Sequence, residues 1–287
     1  MNYWMNAVQI IKSPETLTSL LFRLKQNAKR IGFVPTMGYL HAGHLSLVKR
    51  SNQENDVTVA SIFVNPAQFG PKEDFKNYPR NVKRDLQMLR KAKVDYVFLP
   101  STSSIYPSGF HAYLKAGFLA RPLCGLKRPE HFDGVATVVK RLFDITIPDN
   151  AYFGQKDYQQ FRIIEELPER FYLPVRAVLC PTVREKDGLA MSSRNSYLTS
   201  DERIRARALS QSLKHVKALI QRGARNPNTI KREMKKLLKP AVDRIDYIEV
   251  VDGKSLKRTA HLKGRVLIAV ACFLGKARLI DNILIHV

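Results

Sequence analysis

The sequence Pro35-Thr36-Met37-Gly38-Tyr39-Leu40-His41-Ala42-Gly43-His44 is the most informative segment of the chain, because it joins a short apolar strand to a helix. The preceding residues 31–34 are typical of a buried strand, and Leu45, Leu47 and Val48 begin a helical pattern after the turn. The first N–H groups of a helix have no partner within it, and the helix dipole gives that end a partial positive charge. The sequence therefore predicts an anion-binding turn at the end of a strand, suited to a nucleotide phosphate.

Two imidazoles stand at this turn, and histidine can donate a hydrogen bond to a phosphate near neutral pH. Gly38 and Gly43 permit a tight turn and a close approach of a ligand to the backbone. His41 and His44 form the pattern H-x-G-H, which is found in enzymes that transfer an adenylyl or cytidylyl group. Helix capping is the simpler interpretation of the pair. Zinc binding is disfavoured, because the spacing is not H-E-x-x-H and no cysteine or third histidine lies nearby.

Strands and helices alternate through the first two thirds of the chain. Strands are predicted at 31–34, 57–64, 96–99, 151–153 and 173–179, and helices at 16–27, from His44, around Val82, Leu86 and Leu89, at 135–143 and at 159–166. Alternation with this spacing predicts a parallel α/β sheet. Helices at 201–221 and 229–238 then precede strands at 245–251, 266–272 and 278–285, which predicts an α+β second domain. We place the domains at 1–182 and 183–287.

The chain is strongly basic, with 48 Lys and Arg against 25 Asp and Glu and a formal charge of +23. Such a charge attracts nucleic acids, anionic membranes or phosphorylated substrates. The densest basic segment, 222–239, has its apolar residues at helical spacing, so we predict a solvated helix face in preference to a nucleic-acid site. Three dispersed cysteines indicate a reducing compartment. Residues 1–6 lack a signal-peptide pattern, and the longest apolar run, 266–274, is short of the ~20 residues that span a bilayer. A soluble cytoplasmic protein is expected.

Three further polar clusters follow predicted strands or lie in a loop. Asn65 and Gln68 follow the strand at 57–64, and Gly154-Gln155-Lys156-Asp157 leads from a strand into a helix. Met191-Ser192-Ser193-Arg194 lies in a loop whose hydroxyls and guanidinium suit a polyphosphate. Each has an ordinary alternative: a turn, a helix N-cap at Asp157, and a surface loop. Neither G-x-x-x-x-G-K-[ST] nor G-x-G-x-x-G occurs, so phosphate binding would depend on the histidine-bearing turn.

Taken together, these segments resemble the pantothenate synthetase (pantoate–β-alanine ligase) family over nearly the whole chain. The likeness includes the segments at 35–38, 63–70, 78–80, 131–135, 153–160, 181–184, 191–195, 247–252 and 278–282. The resemblance implies ATP-dependent ligation of pantoate and β-alanine through a pantoyl-adenylate, with release of AMP and pyrophosphate. It also implies Mg²⁺, a Rossmann-like domain with a smaller lid domain, and a homodimer.

The resemblance also implies roles for residues of this chain. The residues expected to bind ATP are Pro35, Met37, Gly38, Tyr39, Leu40, His41, Ala42, Gly43, His44, Gly154, Gln155, Lys156, Asp157, Val183, Met191, Ser192, Ser193 and Arg194. The residues expected to bind pantoate are Gln68, Gln160, Val135, Val138 and Val139, although a plain core role is the simpler interpretation of Val138. Gln68 is also expected to bind β-alanine. Asp85 lies near the family's magnesium-binding acid, but Arg84 precedes it, and Tyr39 and Ala42 depart from the residues common in the H-x-G-H turn.

Attack of a carboxylate on the α-phosphate of ATP concentrates negative charge on phosphoryl oxygens and on the leaving pyrophosphate. We expect His44 and His41 to contact the α- and β-phosphates, and Lys156 and Arg194 to neutralise pyrophosphate alongside Mg²⁺. Two other functions remain open: an adenylating synthetase that acts on tRNA, and a non-enzymatic nucleic-acid-binding protein. Against the first, 287 residues leave little room for a tRNA-reading domain beside a catalytic core. The second leaves Gln68 and Gln160 unexplained.

Overall fold

The computed structural model describes residues 8–71 and 73–287, so the prediction about residues 1–6 lies outside the described part. The chain divides into two compact units. The first unit comprises Met1–Gly154 and Gln160–Cys180, and the second comprises Gln155–Gln159 and Pro181–Val287. The predicted domain bounds, 1–182 and 183–287, stay a prediction, because a compact unit is not by itself an independently folding domain.

The first unit alternates strands with helices, as the apolar pattern predicts. Its elements in chain order are β1 (Gln9–Ile11), α1 (Pro14–Gln26), β2 (Ile31–Thr36), α2 (Ala42–Glu54), β3 (Val57–Ile62), α3 (Val82–Lys91), β4 (Tyr96–Phe98), α4 (Thr102–Ile105), α5 (His131–Thr146), β5 (Asn150–Gly154), α6 (Tyr158–Glu165), α7 (Leu167–Arg170) and β6 (Arg176–Cys180). The first two residues of α6, Tyr158 and Gln159, belong to the second unit. Three short 3-10 helices lie at Pro66–Gln68, Phe118–Ala120 and Leu123–Leu126. The strand β1 and the helices α4 and α7 are too short for a periodic signal, and the sequence did not indicate them.

The strands form one parallel sheet in the order β1-β4-β3-β2-β5-β6. This arrangement confirms the predicted α/β class. The chain proceeds from β2 to β3 and β4 on one side of the sheet, whereas β5 and β6 lie on the other side of β2. The order of strands thus reverses between β2 and β5, and ligands of open α/β sheets bind beyond the carboxyl ends of strands at such a point. The H-x-G-H turn follows β2 directly.

Close packing fixes α2 against the sheet. A Cβ added to Gly32 of β2 would lie 2.1 Å from Ser51 Oγ and 2.5 Å from Asn55 Nδ2, so a larger residue would displace these two side chains. Asn55 donates to the Tyr152 hydroxyl at 2.7 Å, and Tyr152 donates to Glu54 at 2.9 Å. Buried polar groups that are satisfied in this way specify one arrangement of helix and strand. The helix that carries His44 therefore has a fixed position on the strand that precedes it.

The second unit contains α8 (Ser200–Ala206), α9 (Ala208–Gln221), α10 (Pro227–Leu238), β7 (Arg244–Asp252), β8 (Arg265–Leu274) and β9 (Ala277–His286). The strands form an antiparallel sheet in the order β7-β8-β9, which confirms the predicted α+β character. The single helix predicted at 201–221 is two helices that meet at Arg207. The apolar core of the second unit joins these helices to the sheet through buried residues such as Leu213, Met234 and Ile268.

The basic segment of α10 has the predicted distribution of side chains. Ile230, Met234 and Leu238 are buried, whereas Arg232 and Lys235 are exposed. Across the part of the chain that the structure describes, no helix is long and apolar enough to cross a membrane.

Candidate active site

The H-x-G-H turn begins where β2 ends, and its first residues are held by backbone and hydroxyl bonds. The Thr36 hydroxyl donates to the Ser61 carbonyl at 2.7 Å and accepts from the Gly38 N–H at 3.1 Å. Gly38 has φ 79°, a conformation that side chains disfavour. Tyr39 also has a positive φ, 50°. This conformation is unfavourable in free energy for any residue that has a side chain. The surrounding structure must supply bonds that stabilise this turn.

Asp85 supplies those bonds. Its side chain on α3 is 1% exposed, and its two oxygens accept the N–H groups of Tyr39 at 2.7 Å and Leu40 at 2.8 Å. The Arg84 guanidinium lies 3.8 Å from this carboxylate and 5.4 Å from the centre of the Tyr39 ring. Hydrogen bonds to a carboxylate are stronger than neutral ones. Asp85 therefore holds the turn in place, and two departures from the family pattern, Tyr39 and Arg84, are in contact with each other.

The two imidazoles have defined tautomers. His41 is the N-cap of α2, and its Nδ1 accepts the Gly43 N–H at 3.1 Å. The Nδ1 of His44 accepts the His41 N–H at 3.3 Å. A nitrogen that accepts carries no proton, so each neutral ring holds its proton on Nε2. The ring centres are 4.1 Å apart. The predicted capping role is thus real, and it places the proton of each ring on Nε2, from which it can be donated to an anion.

Within the described helix α2, the first turn contains no carboxylate. The partial positive charge at this helix end is therefore not neutralised by its own residues. Ala42, which stands where an acid is common in the family, contributes to this property. An anion at the turn would meet both the helix end and the two imidazoles.

Gln68 lies in the turn that follows the neighbouring strand β3. Its Oε1 accepts from Asn65 Nδ2 at 3.2 Å, and its Nε2 lies 3.0 Å from the sulfur of Met37. Asn65 is itself held, because its Oδ1 accepts from the Tyr106 hydroxyl at 2.8 Å. The first unit thus brings together a residue predicted to bind pantoate and a residue predicted to bind ATP. The role of Asn65 in orienting the amide was not predicted, because its partner Tyr106 lies 41 residues away in the chain.

The remaining residues predicted for the pantoate pocket lie on helices of the first unit. Val135, Val138 and Val139 of α5 are all buried, which is compatible with either core packing or contact with a ligand. Gln160 on α6 is half-buried. These assignments stay predictions.

In the second unit, β9 holds the segment that carries Lys156. Asn282 Nδ2 donates to the carbonyls of Gln155 and Lys156, both at 2.9 Å. Tyr158 donates to the Gly253 carbonyl at 2.8 Å. The Lys156 ammonium lies 3.4 Å from Asp157. The sequence indicated Asn282 only as part of a family segment, and no local pattern predicted that it binds residues more than 120 positions away.

The loop that contains Met191 and Arg194 is fixed by ion pairs and backbone bonds. Arg184 forms two bonds with the buried Asp281, at 2.6 and 3.0 Å. The Val183 carbonyl accepts the Met191 N–H at 3.0 Å, and the Ser192 hydroxyl accepts the Arg194 N–H at 3.3 Å. A 3-10 helix, Ser193–Tyr197, follows. The predicted surface loop therefore has a defined conformation within its unit.

Glu185 anchors the other side of this loop. It accepts from Asn195 at 2.8 Å and pairs with Arg203 at 2.7 Å. Burial by itself raises the pKa of Glu185, but the bonds from Arg203 and Asn195 prevail and hold the pKa below its usual range. The carboxylate is therefore ionised near neutral pH.

The surroundings of Asp85 do not fit the predicted magnesium ligand. Magnesium requires oxygens that face it and usually retains several waters, whereas the Asp85 carboxylate is 1% exposed and its oxygens accept two backbone N–H groups. Within residues 8–71 and 73–287, no group of three or more His, Cys, Asp or Glu side chains is arranged to hold a metal ion.

Comparison with known proteins agrees with this geometry. The family model described as pantoate-beta-alanine ligase matches residues 9–284. The chain is 51% identical to the pantothenate synthetase of Thermosipho africanus, over 97% of this chain and 100% of that protein, and 53% identical to that of Fervidobacterium nodosum, over 90% and 92%.

Solved structures show the same likeness. The pantothenate synthetase of Thermus thermophilus matches with a TM-score of 0.91 at 41% identity, covering 96% of this chain and 99% of the other. The pantoate-beta-alanine ligase of Francisella tularensis, complexed with beta-gamma ATP and beta-alanine, matches with a TM-score of 0.79 at 37% identity, over 97% and 98%. The matched family model and these relatives show that the chain belongs to the pantoate–β-alanine ligase family.

Proposed function

We propose that this protein joins pantoate to β-alanine with ATP, through a pantoyl-adenylate, and releases AMP and pyrophosphate. The observation that carries the proposal is the contact between Gln68 and Met37 beside the H-x-G-H turn. It brings a neutral amide, suited to an acid substrate, next to a turn suited to a nucleotide phosphate. Family membership and the ATP and β-alanine complex of the Francisella relative support the same reaction.

In the first step, the pantoate carboxylate attacks the α-phosphorus of ATP. A P–O bond forms to the substrate, and the bond to pyrophosphate breaks. The Nε2–H groups of His41 and His44 donate to phosphoryl oxygens, and the end of α2 adds its dipole. Asp85 contributes by holding the turn on which both rings are placed. This is electrostatic and positional catalysis, without a covalent enzyme nucleophile.

The choice of amides for pantoate follows from what the carboxylate must do. A bidentate arginine would stabilise the carboxylate before it reacts, whereas glutamine amides orient it and leave it nucleophilic. We assign this task to Gln68 and Gln160, and we assign the gem-dimethyl group to Val135 and Val139. The bond from Asn65 to Gln68 Oε1 turns the Gln68 Nε2–H group toward Met37, and thus toward the nucleotide turn.

Lys156 and Arg194 are proposed to neutralise the leaving pyrophosphate. The support is the family resemblance of their segments, together with the bonds that fix each segment within the second unit. Mg²⁺ is proposed to arrive bound to the triphosphate, since the residues around Asp85 do not fit a resident metal. In the second step the amine of β-alanine attacks the acyl carbon, an amide forms and AMP leaves. Gln68 is assigned to β-alanine as well.

The family resemblance also supports a homodimer and a cytoplasmic location. The three cysteines are free and buried, which agrees with a reducing compartment.

Isotope exchange tests the function. Purified protein is incubated with ATP, Mg²⁺ and radiolabelled pyrophosphate, with pantoate, β-alanine, both or neither. A pantoyl-adenylate predicts exchange of label into ATP that requires pantoate alone, and formation of an amide only when β-alanine is added. Exchange that requires tRNA would indicate the synthetase alternative. Absence of pantoate-dependent exchange in folded protein would reject the proposal.

A further inference from the structure

The first turn of α5 contacts the Gln68 turn on several sides. His131 Nδ1 lies 2.7 Å from the Gln68 carbonyl oxygen, and the Gly134 carbonyl accepts from Asn65 Nδ2 at 3.1 Å. A Cβ added to Gly134 would lie 2.1 Å from the Ala67 carbonyl oxygen and 2.8 Å from the Gln68 nitrogen. The backbone of α5 therefore lies against the backbone of the Gln68 turn, and only glycine permits this distance.

The partners of His131 indicate which ring nitrogen donates to Gln68. A carbonyl oxygen only accepts, so the Nδ1 that faces Gln68 carries a proton. A guanidinium only donates, so the Nε2 that lies 3.0 Å from Arg128 carries none. In this geometry Nδ1 is the donating nitrogen of His131, whereas in His41 and His44 Nδ1 accepts. The Nδ1–H of this ring is directed at the backbone of Gln68.

Arg128 is itself fixed. Glu73 accepts from two of its nitrogens, at 2.6 and 2.5 Å, and Arg128 also contacts the Gln68 carbonyl at 3.4 Å. Burial by itself raises the pKa of Glu73, but Arg128 prevails and the pKa lies below its usual range, so the pair is ionised. An ionised bidentate pair holds the guanidinium in one orientation. Arg128 in turn holds the ring of His131.

We infer that His131 and Gly134, at the start of α5, are positioning residues that set the place of the Gln68 amide for pantoate. His131 acts by a hydrogen bond to the Gln68 carbonyl, and Gly134 acts by admitting the turn against the helix. Neither residue is assigned a contact with substrate. The inference rests on the proposed function, because Gln68 is assigned there to pantoate.

The inference predicts a specific kinetic effect. His131→Ala removes one hydrogen bond from the Gln68 backbone, and the pantoate KM should rise about five- to tenfold, the usual effect of one such bond. The ATP KM should change far less, because Asp85 holds the nucleotide turn independently. Gly134→Ala should have the larger effect, about ten- to a hundredfold, because the added Cβ overlaps the turn itself.

Conservative variants separate positioning from general damage. His131→Asn places an amide N–H near the position of Nδ1 and should restore the pantoate KM to within about twofold of wild type, since it keeps the donor. His131→Gln places its amide near Nε2 and should behave like His131→Ala. Thr18→Val is the matched control, because the Thr18 hydroxyl bonds the Ile145 carbonyl at 2.9 Å near the other end of α5. It removes one bond to the same helix and should leave the pantoate KM unchanged.

The experiment is steady-state kinetics on the full chain, with pantoate varied at saturating ATP and β-alanine, beside thermal unfolding of each variant. A rise in pantoate KM for His131→Ala that His131→Asn reverses supports the inference. An unchanged pantoate KM in folded His131→Ala, or an equal rise in Thr18→Val, overturns it. If Gly134→Ala does not fold, the pantoate KM values of the His131 variants are sufficient to test the inference. Wild-type protein without pantoate-dependent exchange would reject the proposed function, which is a separate outcome.

Discussion

Asp85→Asn distinguishes a residue that holds the nucleotide turn from a residue that binds magnesium. The substitution keeps the size of the side chain and replaces one carboxylate oxygen with an NH₂ group. In the wild type both oxygens accept backbone N–H groups, from Tyr39 and Leu40. In the variant one N–H keeps an acceptor, and the other faces a donor. The side chain is 1% exposed, so water cannot replace the lost partner.

The magnitude follows from these contacts. A hydrogen bond to a charged group contributes about 1.5–3 kcal/mol, and a buried donor without a partner costs about 1–3 kcal/mol. Tyr39 has a positive φ that these bonds stabilise, so relaxation of the turn limits the total. We expect a loss of about 2–4 kcal/mol in the free energy of unfolding. For a unit of roughly 150–250 residues, this lowers the unfolding temperature by about 4–16 °C.

The assay is thermal unfolding without nucleotide or Mg²⁺, followed by a Mg²⁺ titration of pantoate-dependent exchange. A turn-holding residue predicts the lower unfolding temperature in metal-free protein and a slower exchange that added Mg²⁺ does not restore. Asp56→Asn is the control, because exposed Asp56 also accepts a backbone N–H, at 2.8 Å, and water can replace a lost partner there, so the unfolding temperature should fall far less than in Asp85→Asn. An unchanged unfolding temperature with exchange restored by Mg²⁺ would refute the reasoning and identify Asp85 as a metal ligand.

Three further predictions concern the imidazole, the amide and the second unit. His44→Ala should slow pantoate-dependent exchange on the order of a hundredfold to a thousandfold, because a preorganised donor is lost; a rate within a few-fold of wild type would remove His44 from the mechanism. Gln68→Glu should abolish this exchange by charge repulsion, whereas Gln68→Met should retain part of it, and equal rates would show that the pantoate pocket lies elsewhere. Because the pKa of Glu185 is lowered in the folded protein, its ionised carboxylate stabilises the folded state above about pH 4.3, the pKa of glutamate in an unfolded chain. This stabilisation is lost as the pH falls through the pKa of the folded state. Urea unfolding at about pH 6 and pH 3 should therefore show a larger loss of stability in wild type than in Glu185→Gln, and parallel losses would contradict the assignment.

The start of α5 is set by packing contacts that the apolar pattern of the sequence does not show. The sequence predicted a helix at 135–143 from its valines, whereas α5 begins at His131. The difference matters, because the extra first turn carries the two residues that contact the Gln68 turn. An apolar period locates the buried face of a helix, but its polar first turn leaves no periodic signal. The start of α5 became evident only from its contacts.

Local sequence patterns predicted the α/β class and the alternation of elements in the first unit, and the structure confirms both. They also predicted an anion-binding turn at H-x-G-H, which stays a prediction. These properties are local, since hydrophobic period, turn residues and helix ends act within a few positions of the chain. Family resemblance added the expected reaction and the candidate residues.

The bonds that hold those residues became evident from contacts between distant parts of the chain. Asp85 bonds a turn more than forty positions away, Asn282 bonds Lys156 across 126 positions, and His131 bonds Gln68 across 63. In the sequence, each of these polar residues could equally serve as a turn, loop or helix-capping residue. Folding brings them together because the sheet order and the burial of apolar faces set the distances, and no pattern within one segment contains that information.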